Sequence, residues 1–130
     1  MACTDASVAT HDLKTKPVFT PGTCAPPTAT TNTDVVVGTG AEAKAGSHVT
    51  VQYVGVNFAD GKQFDASWDS GSPFMFTIGQ GVIPGFSIGA TGMRVGGRRL
   101  VVIPPADGYG NSGPVPGGTL AFVIDLTAVS

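Results

Sequence analysis

Val82-Ile83-Pro84-Gly85-Phe86-Ser87-Ile88-Gly89-Ala90-Thr91-Gly92-Met93 is the one stretch of this chain that reads as a helix, and its reading decides the fold. Pro84 suits the first helical position, where a missing N–H costs nothing and φ is already helical. Phe86, Ala90 and Met93 recur at i, i+4 and i+7 and make one apolar stripe. Gly85, Gly89 and Gly92 are poor helix formers, at about 1 kcal/mol each against Ala. A helix of about two turns with so little propensity forms only when something packs on it. The flanks alternate like strand, so the partner is a sheet with an apolar inner face. Where that sheet fails to close around the start of the helix, an apolar pocket is left.

Upstream, Val49, Val51 and Tyr53 alternate with Thr50, Gln52 and Val54, as in a long strand. Asp60-Gly61 signals a hairpin into Lys62-Gln63-Phe64. Phe64-Asp65-Ala66-Ser67-Trp68 leaves the strand, and Gly71-Ser72 turns the chain into Phe74, Phe76 and Ile78. Downstream, Gly96-Gly97 returns to a strand in which Leu100 and Val102 oppose Val101 and Ile103, ended by Pro104-Pro105. Residues 107–118 make a long loop of Gly, Pro, Asn and Ser that contains Tyr109. The last strand sets Leu120, Phe122, Ile124 and Leu126 on one face and Thr119, Asp125 and Thr127 on the other. Val35-Val36-Val37 adds a short strand. The expected class is α+β: a twisted antiparallel half-barrel of about five strands wrapped around one short helix. Residues 34–130 form this domain. Residues 1–33 lack core periodicity and read as an arm or linker, with a short edge strand at Lys16-Pro17-Val18-Phe19-Thr20-Pro21.

A chain of 130 residues allows one domain with a real core. The net charge of −2 gives no electrostatic reason to bind nucleic acid or an anionic membrane. No apolar run is long enough for a membrane span, and Met1-Ala2 leads straight into polar residues, unlike a signal peptide. Cys3 and Cys24 admit two readings, a disulfide in an oxidising compartment or two free thiols. With His11 and His48 they do not complete a zinc site. A cysteine this near the start also resembles the residue left by bacterial lipoprotein processing. The compartment is cytoplasmic if Met1 is the native start, and secreted or envelope-anchored if Cys3 is processed or pairs with Cys24.

Most catalytic signatures are missing: there is no G-x-S-x-G elbow and no P-loop. Gly79-Gln80-Gly81 precedes the helix, but the third glycine falls at 85, one place late for a dinucleotide fingerprint. Arg98 and Arg99 point to opposite faces of a strand and read as a solvated pair. His48 follows a turn and reads as a surface residue. What remains is a set of rings near strand ends and the helix start: Phe64, Trp68, Phe74, Phe86, Tyr109 and Phe122. Any one alone is more often core. Asp65 and Tyr109 add polar groups, although Asp65 alone is more often a turn residue bonding its own backbone.

Seven motifs in order then carry a resemblance. They are Val51-Gln52-Tyr53-Val54-Gly55, Gly61-Lys62-Gln63-Phe64-Asp65-Ala66-Ser67, Pro73-Phe74-Met75-Phe76, Val82-Ile83-Pro84-Gly85-Phe86, Met93-Arg94-Val95-Gly96-Gly97-Arg98-Arg99, Ile103-Pro104-Pro105 with Gly108-Tyr109-Gly110, and Thr119-Leu120-Ala121-Phe122. From about Val35 to its end the chain resembles the FK506-binding (FKBP-type) peptidyl-prolyl cis-trans isomerases. Gly97-Arg98-Arg99 and Phe64-Asp65-Ala66-Ser67-Trp68 look bacterial, and actinobacterial in particular.

The resemblance implies a proline site lined by Tyr53, Phe64, Asp65, Phe74, Val82, Ile83, Phe86, Tyr109 and Phe122. Of these it gives Tyr53, Phe64, Asp65, Phe86, Tyr109 and Phe122 to catalysis. Phe74, Val82 and Ile83 go to substrate binding, with Val115. The family usually has Trp where Phe86 stands, and isoleucines where Pro114-Val115-Pro116 stand. It implies rotation of X–Pro bonds by removal of water from the amide. The Ile83 N–H and the Tyr109 hydroxyl hold the carbonyl region, and no nucleophile or proton transfer is needed. The implied partners are proline-containing polypeptides and FK506- or rapamycin-type macrolides. No cofactor or metal is expected, nor nucleic acid, and the chain is expected to be a monomer. Two competing readings stand beside this one. A non-catalytic binding module on the same fold would hold its ligand without turnover. A small β domain binding sugar through aromatics would show exposed rings and no deep pocket.

Overall fold

Val49 and Val51 are buried on one face of a ten-residue strand, His48–Asn57, and Val54 and Val56 on the other. That strand is the spine of the sheet. The computed structural model describes residues 7–8, 16–17, 19–20, 29–58, 61–80, 82–108 and 118–130. In chain order the elements are β1 (Ser7–Val8), β2 (Phe19–Thr20), β3 (Thr31–Val36), β4 (His48–Asn57), β5 (Gln63–Ala66), α1 (Ser67–Ser70), β6 (Phe74–Thr77), α2 (Pro84–Ala90), β7 (Arg98–Ile103), a 3-10 turn (Pro105–Asp107) and β8 (Leu120–Val129). β1 pairs with β2 apart from the rest. The main sheet is antiparallel, in the order β3-β7-β8-β4-β5 with β6 also on β4. β6 and β5 share the outer edge of β4, β6 along His48 to Val51 and β5 along Val54 to Val56. β3 starts at Thr31, ahead of the expected domain start, and Thr31, Asn32 and Thr33 pair with Val102, Val101 and Leu100.

α2 lies on the inner face. Pro84 stands at its start, and Phe86 and Ala90 are buried, with Met93 of the stripe buried just beyond the helix. Its glycines have a role that propensity alone conceals. A Cβ on Gly85 would collide with the Ile103 side chain, and one on Gly89 would sit 2.5 Å from Val101 Cγ2. Glycine at these two positions lets the helix backbone lie directly on β7. Inside this layer are Val49, Val51, Val101, Ile103, Leu120, Phe122, Ile124 and Leu126.

Two expectations are corrected. The Arg98–Arg99 pair is not solvated. Arg98 is fully buried and forms two hydrogen bonds with Asp125, at 2.6 and 2.7 Å. Arg99 donates to the carbonyls of Gly89 and Thr91 at the end of α2, and to Asp34. Those carbonyls have no helical partner of their own, so Arg99 caps the helix. Second, the segment leaving β5 coils into one more helical turn, α1, closed by Gly71 at φ 76°. The outer face of the sheet is also apolar: Val54, Val56, Phe58, Leu100, Val102, Ala121 and Val123 form a second buried cluster with Phe19. Phe19 reaches it from the N-terminal arm, its ring 6.2 Å from that of Phe58.

Candidate functional site

Phe86, in the first turn of α2, is the hub of the site and only 4% exposed. Tyr53, Phe122 and Phe76 meet its ring edge-on at centroid distances of 5.4, 5.2 and 5.2 Å, and Phe74 does so at 6.2 Å. Edge-to-face pairs of this kind add about 0.5–1.5 kcal/mol each beyond the area they bury. The floor ring is therefore held in one orientation. The four neighbours come from three strands: Tyr53 from β4, Phe74 and Phe76 from β6, Phe122 from β8. Phe122 also meets Tyr53 at 6.0 Å and Phe64 at 5.7 Å.

Asp65, exposed on β5, supplies the polar rim. The Tyr53 hydroxyl donates to Asp65 Oδ2 at 2.7 Å. Val82 and Ile83 approach from the segment entering α2. Ile83 is extended, with φ −60° and ψ 146°, and its carbonyl accepts the Phe86 N–H at 3.0 Å. The result is a concavity of about 520 Å³, open on one side and lined among the described residues by Tyr53, Asp65, Phe74, Val82, Ile83, Phe86 and Phe122. That is the size and character of a site for a small apolar group with few polar contacts. Asp65 is the one ionisable group in this lining besides the Tyr53 phenol. Among the described residues no cluster of His, Cys, Asp and Glu could hold a metal ion, and no helix is long and apolar enough to cross a membrane.

Seven of the residues singled out in the sequence thus converge on one cavity. Phe64 stands behind its wall, packed on Phe122. Tyr109, Val115, Cys3 and Cys24 lie outside the described residues. Sequence reading missed three supports. Phe76 stacks on Phe74 at 5.5 Å and backs Phe86. Gly55 sits under the rings, where a Cβ would lie 2.7 Å from Phe122 Cε1 and 3.0 Å from Phe64 Cζ. A glycine inside a strand is the available signal for such a close approach. Ser67, buried beside β4, donates to the Gln52 side chain at 2.6 Å and accepts the Tyr53 backbone N–H at 2.7 Å.

Comparison with known proteins agrees with this fold. A family model described as FKBP-type peptidyl-prolyl cis-trans isomerase matches residues 40–127. The probable FK506-binding protein of Corynebacterium glutamicum is 50% identical over 96 residues, covering 72% of this chain and 80% of that protein. The FK506-binding protein of Streptomyces anulatus is 49% identical over 102 residues, covering 74% of this chain and 82% of that one. Both sources are actinobacteria. The crystal structure of AtFKBP13 superposes with a TM-score of 0.70 at 34% identity, over 81% of this chain and 96% of that one. FkpA from Escherichia coli superposes with a TM-score of 0.71 at 36% identity, and this chain spans 48% of that longer protein. By the match of its sequence across most of the sheet and helix, the chain belongs to the FKBP-type peptidyl-prolyl cis-trans isomerase family.

Proposed function

We propose that this isomerase turns X–Pro bonds in unfolded or flexible polypeptides by taking the amide out of water and binding its twisted form. The barrier is about 18–20 kcal/mol because rotation breaks amide resonance. Water stabilises the planar, charge-separated amide, so an apolar enclosure removes a stabilisation that the twisted form lacks. Phe86 forms the floor for the proline ring, with Tyr53, Phe74 and Phe122 as walls. Ile83 offers its backbone N–H and Tyr109 its hydroxyl to the carbonyl region. Asp65, bonded by Tyr53, faces the imide, and Phe64 holds Phe122 in place. Val82 joins the lining of the proline site, and Val115 is assigned to the residue before proline. Each tenfold in rate requires about 1.4 kcal/mol of preference for the twisted amide.

The observation that carries this reading is the ring-walled cavity with one carboxylate at its rim. Such a site suits desolvation of a neutral group. The same cavity would admit an FK506-type macrolide, which on this reading competes with peptide. The protein acts alone, as a monomer. The test is turnover of a Leu–Pro peptide by wild type and by Phe122→Leu and Tyr53→Phe, each checked for fold. Wild type should accelerate isomerisation and both variants should lower kcat/KM. A wild type that binds the peptide and leaves its isomerisation rate unchanged is a binding module instead.

A further inference from the structure

The outer edge of β4 is covered by β6 as far as Val51 and by β5 from Val54 onward. Between them, at Gln52 and Tyr53, neither strand pairs with it. The inner edge of β4 is paired throughout this region, with Tyr53 opposite Ile124 of β8. The gap in the sheet thus falls at the residue that walls the pocket and bonds Asp65. An N–H left open at such a gap would be free to take water or to let the strand shift.

Ser67 fills it. Its residue is 5% exposed. Its hydroxyl accepts the Tyr53 N–H at 2.7 Å and donates to Gln52 Oε1 at 2.6 Å. Ser67 is also the first residue of α1, two places after Asp65. Tyr53 is therefore tied to one short segment twice, by its backbone to Ser67 and by its hydroxyl to Asp65 at 2.7 Å. The first tie sets the spacing of the backbones across which the second forms.

We propose that Ser67 is a positioning residue for the isomerase site: its hydroxyl holds the Tyr53 N–H in the interval between β6 and β5 and so fixes the Tyr53–Asp65 hydrogen bond. The proposal rests on the desolvation site of the preceding subsection. It is distinct from a general role in stability, because its effect passes through one phenol.

A double-mutant cycle separates these. Ser67→Ala should lower kcat/KM for a Leu–Pro peptide by about tenfold, as expected for one lost buried hydrogen bond. The loss should fall on kcat, with KM within about twofold. In a Tyr53→Phe background, where no hydroxyl remains to be positioned, the same change should cost less than about twofold. Equal losses in both backgrounds, or no loss in either, would overturn the proposal. If Ser67→Ala does not fold, Ser67→Cys, which keeps a weaker acceptor, carries the same cycle. Amide exchange needs no substrate and keeps the two readings apart. Loss of the Ser67 hydroxyl should speed exchange at Tyr53 by at least about tenfold more than at Val51 and Gly55. If wild type shows no turnover, the catalytic reading fails, and exchange alone decides whether Ser67 holds Tyr53; uniform exchange then overturns that role too.

Discussion

Arg98 and Asp125 stand directly opposite each other on β7 and β8, Nε to Oδ1 at 2.6 Å, with side chains 0% and 1% exposed. They lie on the outer face, in line with Leu100, Val102, Ala121 and Val123. Asp125→Ala removes a carboxylate from a buried cation and should cost about 3–5 kcal/mol. An Arg98→Met/Asp125→Leu pair should be far less harmful than either single change. Burial pushes the Asp125 carboxyl up from its ordinary value, against the Arg98 hydrogen bonds that pull it down. A raised carboxyl binds its proton more tightly in the folded chain. Its contribution is thus complete below the unfolded value of about 3.9 and lost as pH rises through the folded one. Urea denaturation across that window should show the stability of wild type relative to Asp125→Asn falling as pH rises. A rise instead would mean that the arginine outweighs burial.

Phe122 is core and pocket wall at once, 3% exposed and in contact with Phe86, Tyr53 and Phe64. Phe122→Ala should cost about 3–5 kcal/mol of stability and most of the turnover. Phe122→Leu should keep the fold and lose rate. Full activity in the leucine variant would take the ring out of the site.

The isomerisation rate constant should be nearly flat from about pH 5.5 to 8.5, because the proposed chemistry moves no proton. No histidine is in the described lining; His48 instead lies 2.7 Å from Thr77 at the start of β4. A steep change centred near pH 6.5 would point to a histidine and sink the desolvation account.

Gly89→Ala tests helix propensity against packing. In an open helix the change would gain about 1 kcal/mol. Here the new methyl would lie 2.5 Å from a branched, fully buried Val101 side chain. Overpacking costs about 1–3 kcal/mol, so thermal denaturation should show a net loss. A higher melting temperature would mean that α2 can lift from β7.

A chain beginning at Asp34 should still fold and turn over, as a domain of residues 34–130 requires. It would lose Phe19 from the outer cluster and the Thr31–Thr33 pairing with β7. It would also lose Lys16, whose hydrogen bond, with that of Gln63, holds the Asp69 carboxyl below its ordinary value. Burial of Phe19 alone suggests a loss of about 2–3 kcal/mol, readable as a lower urea midpoint. Failure to fold would make the arm an integral part of the domain.

The inner half of the molecule was legible in the sequence because its signals are local. Pro84 opens α2, and the 49/51/53 and 120/122/124/126 alternations face it; the shared site of Tyr53, Phe74, Phe86 and Phe122 came from the ordered motifs and not from spacing, and Trp68 packs on the outer cluster instead. The outer half was not. Apolar residues at both parities, as in Val54, Val56, Leu100 and Val102, mark strands covered on both faces, but nothing local names Phe19 as the cover. Arg98 looked solvated because a doublet of charges usually is; its partner sits 27 residues away. Gly85 and Gly89 counted as helix costs until Ile103 and Val101 were seen beneath them. Ser67 was unreadable for a related reason, since a gap between two strands sharing an edge exists only after the sheet is assembled.

β8 is hydrogen-bonded to β4 on one side and to β7 on the other, yet it follows every other strand of the sheet in the chain. During synthesis β7 therefore leaves the ribosome with neither β8 nor a completed inner face to bury its apolar side chains. Local elements such as the β4–β5 hairpin can form early, but the sheet closes only when residues 120–129 have emerged. Until then a long-range pairing is pending and its exposed edges invite intermolecular contact. The order of manufacture thus imposes a vulnerable interval on this protein. Factors that hold nascent chains would shorten its exposure, and slow translation ahead of β8 would lengthen it.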